Sequence, residues 1–219
     1  KRRGYKRSLI YHTWVTLSST LLGFGLGLVL GVSLSLAIVY SRVMDLSVMP
    51  WVITSQTIPI IAIAPMIIVI MAPMGLTGLM PKGVISMYLS YFPIVIGMTK
   101  GLRSSDPILE DQMKTWSATA FQTFLLLRLP SALPYLFPAM KISLAAALVG
   151  AVVAELPSGA RAGLGARLLV FSYRSETIPM WANLVSAAIL AALLVVPFGM
   201  LERALNRRLG FRTAGEVSS

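Results

Sequence analysis

Apolar and polar positions are sorted into long blocks along this chain. The short rhythm of a half-buried surface helix is missing. Apolar runs extend over about Thr13–Tyr40, Trp51–Met74, Gly83–Lys100, Leu133–Leu156 and Pro179–Leu201. Each is close to or beyond the ~20 residues that an α-helix needs to cross a hydrocarbon core ~30 Å thick. The pattern predicts an all-α membrane protein with about five transmembrane helices in this chain. The transmembrane part spans 13–201, between a basic segment at 1–12 and a polar tail at 202–219.

The interruptions between the runs differ in character. Ser41 to Pro50 and Gly75 to Lys82 are short connections, and 157–178 is a polar loop with an amphipathic piece at Ala166–Phe171. The stretch 103–131 is the most structured of them. Asp106-Pro107 is a helix start, since Asp accepts from orphan N–H groups and Pro at the first helical position gives up no needed donor. Glu110 and Asp111 then lie in the early turns, where negative charge suits the helix dipole. A second start falls at Thr119, with Gln122 at capping-box spacing. Phe121, Phe124 and Leu125 follow at helical spacing as an expected exposed apolar ridge. Leu129-Pro130 ends that helix and Ser117-Ala118 forms the bend. Two short helices displaying an apolar ridge outside the bilayer are a docking element in the making.

Inside the runs, the small and polar residues are informative. Gly23, Gly27 and Gly31 recur every four residues, which lets a neighbouring helix approach closely. A dinucleotide-binding reading of Gly23-x-Gly25-x-Gly27 fails, because no strand precedes it and the segment is apolar throughout. The Ala- and Gly-rich fourth run also predicts close packing, within the chain or across a dimer axis. The second run carries Thr54, Ser55, Gln56 and Thr57 followed by Pro59 and Pro65. Prolines free backbone carbonyls that must find protein or cavity partners. A water-lined path and a kink in a packed bundle both accommodate that combination. Ser55, Gln56, Thr57, Ser86, Tyr88, Tyr91, Ser143, Glu155 and Asn183 are the candidate path residues, with plain interhelical hydrogen bonding as the competing role.

Composition narrows the classes. The chain is 56% hydrophobic and 12% charged, and its net charge of +11 sits at the ends and in the loops. That placement suits lipid headgroups and membrane orientation better than nucleic acid. There is no cysteine and one histidine, His12, with no carboxylate near it in sequence. No metal site, catalytic residue or resident cofactor is expected, and His12 reads as structural.

The residues also carry a family resemblance. The 111–130 stretch resembles the cytoplasmic signature of membrane subunits of bacterial ATP-driven importers: Glu-Ala-Ala, three residues, Gly, nine residues, Ile, one residue, Leu-Pro. Leu127, Leu129 and Pro130 match its end. Ser117 holds the Gly position, and Asp111, Gln112 and Met113 hold the Glu-Ala-Ala positions. Gln56-Thr57-Ile58-Pro59 to Pro65, Phe92-Pro93, Gly101-Leu102-Arg103 to Asp106-Pro107, Pro130-Ser131-Ala132-Leu133-Pro134 and Gly163-Leu164-Gly165 resemble the nitrate/sulfonate/taurine/pyrimidine-precursor branch.

The resemblance implies a type I ABC importer permease bundle, in which a sixth, N-terminal helix is usual. It implies a multi-pass protein of the bacterial cytoplasmic (inner) membrane. It also implies ABC ATPase subunits as partners, a second permease copy in a homodimer, an extracytoplasmic solute-binding protein and surrounding membrane lipid. ATP and Mg would be used by the ATPase, since no Walker-type phosphate loop is present here. Loop 103–131 would be the cytoplasmic coupling element, with Asp111, Ser117, Ala118, Thr119, Phe121, Gln122, Phe124, Leu125 and Pro130 at the ATPase contact. Loop 157–178 would be extracytoplasmic.

Charge placement tests that topology. Arg42, Lys100, Arg103, Lys114, Arg128, Lys141, Arg203, Arg207, Arg208 and Arg212 fall inside, against Lys82, Arg161, Arg167 and Arg174 outside, in accord with the positive-inside tendency. Lys1, Arg2, Arg3, Lys6 and Arg7 fall outside, against it; an upstream helix would make them part of an external loop. An ion-coupled secondary transporter would need carboxylates or histidines as mid-membrane relays, and the runs hold almost none. An intramembrane enzyme would need a Ser–His or paired-Asp constellation, which is absent. A non-catalytic assembly subunit is the remaining alternative, and it leaves the polar, proline-broken run unexplained.

Overall fold

The computed structural model describes residues 9–157 and 162–208, with side chains to Arg203. The basic residues of 1–8, Arg161 and Arg212 lie outside the described residues, as do the side chains of Arg207 and Arg208. The described part is all-helical: α1 (Leu9–Tyr40), α2 (Arg42–Ser55), α3 (Ile60–Met71), α4 (Leu79–Leu102), α5 (Pro107–Thr115), α6 (Ala120–Thr123), α7 (Leu129–Glu155), α8 (Leu164–Tyr173) and α9 (Thr177–Arg208). A short 3₁₀ turn, Ala72–Met74, follows α3, and a π turn, Phe124–Arg128, joins α6 to α7.

Helix α4 lies between α1 and α7, and the small residues of both neighbours explain why. A Cβ on Gly23 would sit 2.2 Å from the Ser86 side chain, and one on Gly27 would sit 2.1 Å from Ser90 Oγ. On the other side, a Cβ on Gly150 would come within 2.8 Å of Ser86 Cα. Backbones brought this near also trade hydrogen bonds between helices. Ser86 donates to the Ala147 carbonyl at 2.6 Å, Ser143 to Ser90 at 2.6 Å and Ser90 to Gly23 at 3.1 Å. The glycine spacing is therefore packing, and the Ala- and Gly-rich α7 packs within the chain. Apolar clusters fill the remaining space, Phe24 with Ile94, Leu144 and Ala147, and Met98 with Leu102 and Ala132.

Among the described residues, four helices are long and apolar enough to cross a membrane: α1, α4, the run from Ala120 to Glu155, and α9. The next apolar stretch is a bent pair, with the length and composition of a broken span or a re-entrant loop, and differs from the straight run expected at Trp51–Met74. Helix begins already at Arg42, stops at Ser55, and resumes at Ile60 after a bend of 103°. Prolines alone do not set the break, because Pro50, Pro65, Pro93, Pro134, Pro138 and Pro197 all lie within helices. The break falls where Gln56 and Thr57, with side chains that compete for backbone groups, meet Pro59, which cannot donate. Helix α9 is the least covered, with Ile178, Trp181, Leu184, Val185, Ile189, Leu193 and Val196 exposed.

Candidate functional site

Two polar regions stand out, one at the end where α4 hands over to α7 and one at the helix break. The first is the loop. Asp106 caps α5 by accepting from the Ile108 N–H at 2.9 Å, as the Asp-Pro start predicts. The helix ends in a Schellman arrangement: the Ala118 N–H donates to the Met113 carbonyl at 3.0 Å and the Ser117 N–H to Lys114 at 2.9 Å. That closure needs a left-handed residue at its centre, and Ser117 has φ of 54°. A serine in that conformation carries strain that a glycine at the same position would not. Thr119 then opens α6 with a full capping box, Thr119 N–H to Gln122 Oε1 at 2.8 Å and Gln122 N–H to Thr119 Oγ1 at 3.3 Å.

The apolar surface of the loop differs from the expected ridge. Phe121 and Leu125 are exposed, Phe121 at 70%, together with Trp116 at 73%, Ile108 and Leu126. Phe124 instead turns inward, edge to face with Tyr40 at 6.1 Å and packed against the Met98–Leu102–Ala132 cluster. A four-residue α6 followed by a π turn does not keep 3.6 residues per turn, so the helical spacing misplaces this ring. Asp111 is exposed and pairs with Lys114 at 2.8 Å; Ala118 is half-buried, and Pro130 lies in the first turn of α7.

Sequence reasoning missed what fixes this loop to the bundle. Glu110 accepts from Ser105 Oγ at 2.5 Å and from Arg128 Nε and Nη2 at 3.1 and 3.3 Å, and Arg128 stacks over Tyr40 at 5.8 Å. The Ser105 hydroxyl, and then Arg128, hold the Glu110 carboxyl below its ordinary range, against the opposing effect of partial burial. Arg103 pairs with Asp45 at 2.8 Å, tying the start of the loop to the first turn of α2. The partners of the first set come from three elements, so no local motif announces them.

The second region is the break between α2 and α3. The Ser55 hydroxyl donates to the Val52 carbonyl at 2.7 Å, so Tyr91 donates to Ser55 Oγ at 2.5 Å, and Gln56 Nε2 donates to the same oxygen at 3.3 Å. Tyr88 donates to the Ser55 carbonyl, one of the groups left over where α2 stops. Thr57 is exposed and bonds back to Thr54 at 2.8 Å. A cleft of about 390 Å³ opens here, lined by Trp51, Ser55, Tyr88, Tyr91 and the apolar side chains of Leu30 and Leu34. At 1.5 Å per residue, Tyr88 and Tyr91 stand roughly 14 and 18 Å along α4, near the middle of a crossing.

The remaining path candidates lie elsewhere. Ser86 and Ser143 are fully buried in the α1–α4–α7 contacts already described. Glu155 and Asn183 belong to a buried cluster at the opposite end of the bundle from the loop. Asn183 Nδ2 donates to the Leu164 carbonyl at 2.7 Å, and Glu155 lies within 3.4 Å of Lys82 Nζ. His12 belongs to the same cluster and accepts from the Gly163 N–H at 3.1 Å through Nδ1, a structural contact. The nine candidates thus divide between a cleft at the helix break, interhelical bonds and an end cluster. Lys141 of α7, half-buried, is neutralised by an ion pair with Glu202 of α9.

Comparison with known proteins agrees with this architecture. Residues 23–211 match the family described as the binding-protein-dependent transport system inner membrane component. The chain is 34% identical over 154 residues to the formylaminopyrimidine transport permease protein of Halalkalibacterium halodurans, covering 70% of this chain and 60% of that protein. It is 33% identical over 196 residues to the riboflavin transport system permease protein of Chloroflexus aurantiacus, covering 90% and 71% of the two. In fold it is similar to a chain of the MetNI methionine ABC transporter in an inward-facing conformation, with TM-score 0.79, 21% identity and coverage of 90% and 95%. The family extends across both polar regions, from the glycine face of α1 through the loop and the broken helix to α9, and this chain belongs to it as a membrane-spanning permease subunit of an ABC importer.

Proposed function

We propose that the loop between α4 and α7 is the coupling element of this permease, receiving the motion of a separate ATP-hydrolysing subunit and passing it to the helices. The observation that carries this reading is an exposed apolar surface on a rigid mount. Trp116, Phe121, Leu125 and Leu126 face outward, while the capping box, the Glu110–Arg128 pair and Phe124 against Tyr40 hold the loop to α1 and α7. Large exposed aromatic side chains on a rigid base are the usual anchors of an interface. ATP and Mg belong to the partner. A second copy of this chain completes the path, an extracytoplasmic binding protein delivers the solute, and lipid covers the remaining apolar face of α9. The membrane is the bacterial cytoplasmic membrane.

The cleft at the helix break is the segment of the path that this chain supplies, through Ser55, Gln56, Thr57, Tyr88 and Tyr91. Aromatic walls with a few polar groups suit a planar solute. The relatives named for formylaminopyrimidine and riboflavin transport support a nitrogen heteroaromatic as the solute class.

The decisive experiment is co-purification of the chain with its cognate ATPase. Phe121→Asp places a charge in the centre of the docking surface and should reduce ATPase recovery at least tenfold, which corresponds to about 1.4 kcal/mol. The change lies on an exposed side chain, so yield and thermal stability of the permease should stay level. Undiminished ATPase recovery would remove the loop from the interface.

A further inference from the structure

The end of the bundle remote from the loop holds a joint made of charged and polar side chains. Helix α8 starts at Leu164, and its first backbone N–H groups have no partners within the helix. Each of the three at the turn finds one on a different side chain. Gly163 N–H donates to His12 Nδ1 at 3.1 Å, Leu164 N–H to Thr16 Oγ1 at 2.9 Å, and Gly165 N–H to Glu155 Oε2 at 2.9 Å. The Thr16 hydroxyl reaches both oxygens of Glu155, at 3.1 and 3.0 Å. Lys82 Nζ spans Glu155 Oε1 at 3.4 Å and the Ala162 carbonyl at 3.2 Å. The turn is thereby tied to α1, α4 and α7 at once, with a buried carboxylate set against the positive end of α8.

The fit is tight. A Cβ on Gly163, where φ is +131°, would lie 2.1 Å from Glu155 Cδ, and one on Gly165 would lie 2.2 Å from the Val152 carbonyl oxygen. Glu155 itself is completely buried. A fixed joint is made more cheaply from apolar side chains, because removing two ions from water costs several kcal/mol each. Polar groups have a different use, since water can replace every bond when the joint parts. Water has a route: an open cavity of about 530 Å³ runs along Tyr11, Ser18, Thr77, Lys82 and Ala162, up to the cluster.

We propose that Glu155 is a positioning residue that holds the Gly163–Gly165 turn closed over this end of the bundle, and that the transport cycle releases this hold. The proposal rests on the importer reading. It assigns the turn as a movable leaf, α8 as the lever behind it, and Lys82 and Thr16 as the groups that keep Glu155 aimed at the turn.

The sequence contains no cysteine, so one reporter thiol on the permease is unambiguous. Leu164→Cys places it inside the turn, where Leu164 is 1% exposed. With the full transporter in nanodiscs, a membrane-impermeant maleimide should label this thiol slowly without nucleotide. Adding Glu155→Gln or Thr16→Val should speed labelling at least fivefold while the ATPase still co-purifies. With Glu155 intact, trapping with ATP and vanadate should also speed it. Equal labelling rates across all these conditions would overturn the proposal. So would faster labelling found only with loss of the complex, which is the signature of a merely structural role. Ala166→Cys is the second reporter should Leu164→Cys lower the yield. The nucleotide-free comparison of the native joint with Glu155→Gln can be repeated on the permease alone in nanodiscs, so a failure to bind the ATPase would sink the coupling role of the loop, while equal labelling rates there would still overturn the joint.

Discussion

Ser117 concentrates the local energetics of the loop in one dihedral angle. Its φ of 54° puts a side chain in the left-handed region, at a cost of roughly 1 kcal/mol relative to glycine. The cost persists because the Schellman bonds and the capping box on either side fix the backbone. Ser117→Gly should relieve it, offset in part by the freer unfolded chain, for a net gain of about 0.5 kcal/mol. Hydrogen exchange of the peptide covering Met113 to Ala118 should slow about twofold, whereas Ser117→Val, β-branched and strained there, should speed it. Faster exchange in the glycine variant would mean that the serine carries no strain. The glycine of the family pattern, absent here, makes physical sense as the residue that ends α5 in this way.

At the scale of elements, the Glu110–Arg128 pair joins α5 to the turn that leads into α7. Its pH dependence follows from the lowered Glu110 pKa, whose leading cause is the Ser105 hydrogen bond. A carboxyl held below its unfolded value contributes stability that is present above the ordinary carboxylate range and lost as pH falls through the lowered folded value. Loop protection in the native chain should therefore decay on acidification below the ordinary glutamate pKa of about 4.3, by no more than about 1 kcal/mol for a half-buried pair. Glu110→Gln should remove that dependence while lowering protection near neutral pH; an unchanged acid profile would show that the pair does not hold the loop. None of this was legible from sequence, because Glu110 and Arg128 lie 18 residues apart. What was legible is local or periodic: the Asp106 and Thr119 caps and the four-residue glycine spacing of α1. Phe124 was misplaced because the π turn breaks the helical period on which its assignment relied. The break in the second run was signalled by the polar cluster beside Pro59, but its 103° bend was not, since tyrosines on α4 capture the end of α2. The end cluster was hidden for the same reason as the loop ties, with Thr16 and Glu155 separated by 139 residues.

For the whole molecule, the order of crossings and the charge placement lead to one strong constraint. Helix α7 is a single crossing between the loop and α8, so the two must lie on opposite faces of the membrane. Basic side chains accumulate at the loop end, where Arg42, Lys100, Arg103, Lys114 and Arg128 outnumber the Lys82, Arg167 and Arg174 of the α8 end. Lys82 is moreover buried against Glu155 and contributes little to the surface. The positive-inside tendency then predicts the loop in the cytoplasm and α8 outside. Two exposed side chains make the test direct: Trp116 in the loop and Tyr173 at the end of α8, 73% and 81% exposed. In a chain without native cysteine, Trp116→Cys should react with an impermeant maleimide in inside-out vesicles and resist it in right-side-out vesicles. Tyr173→Cys should show the reverse. Both reporters reacting from one side would mean that α7 does not cross. The exchanged pattern would place the loop outside, away from any source of ATP, and remove the physical basis for its coupling role.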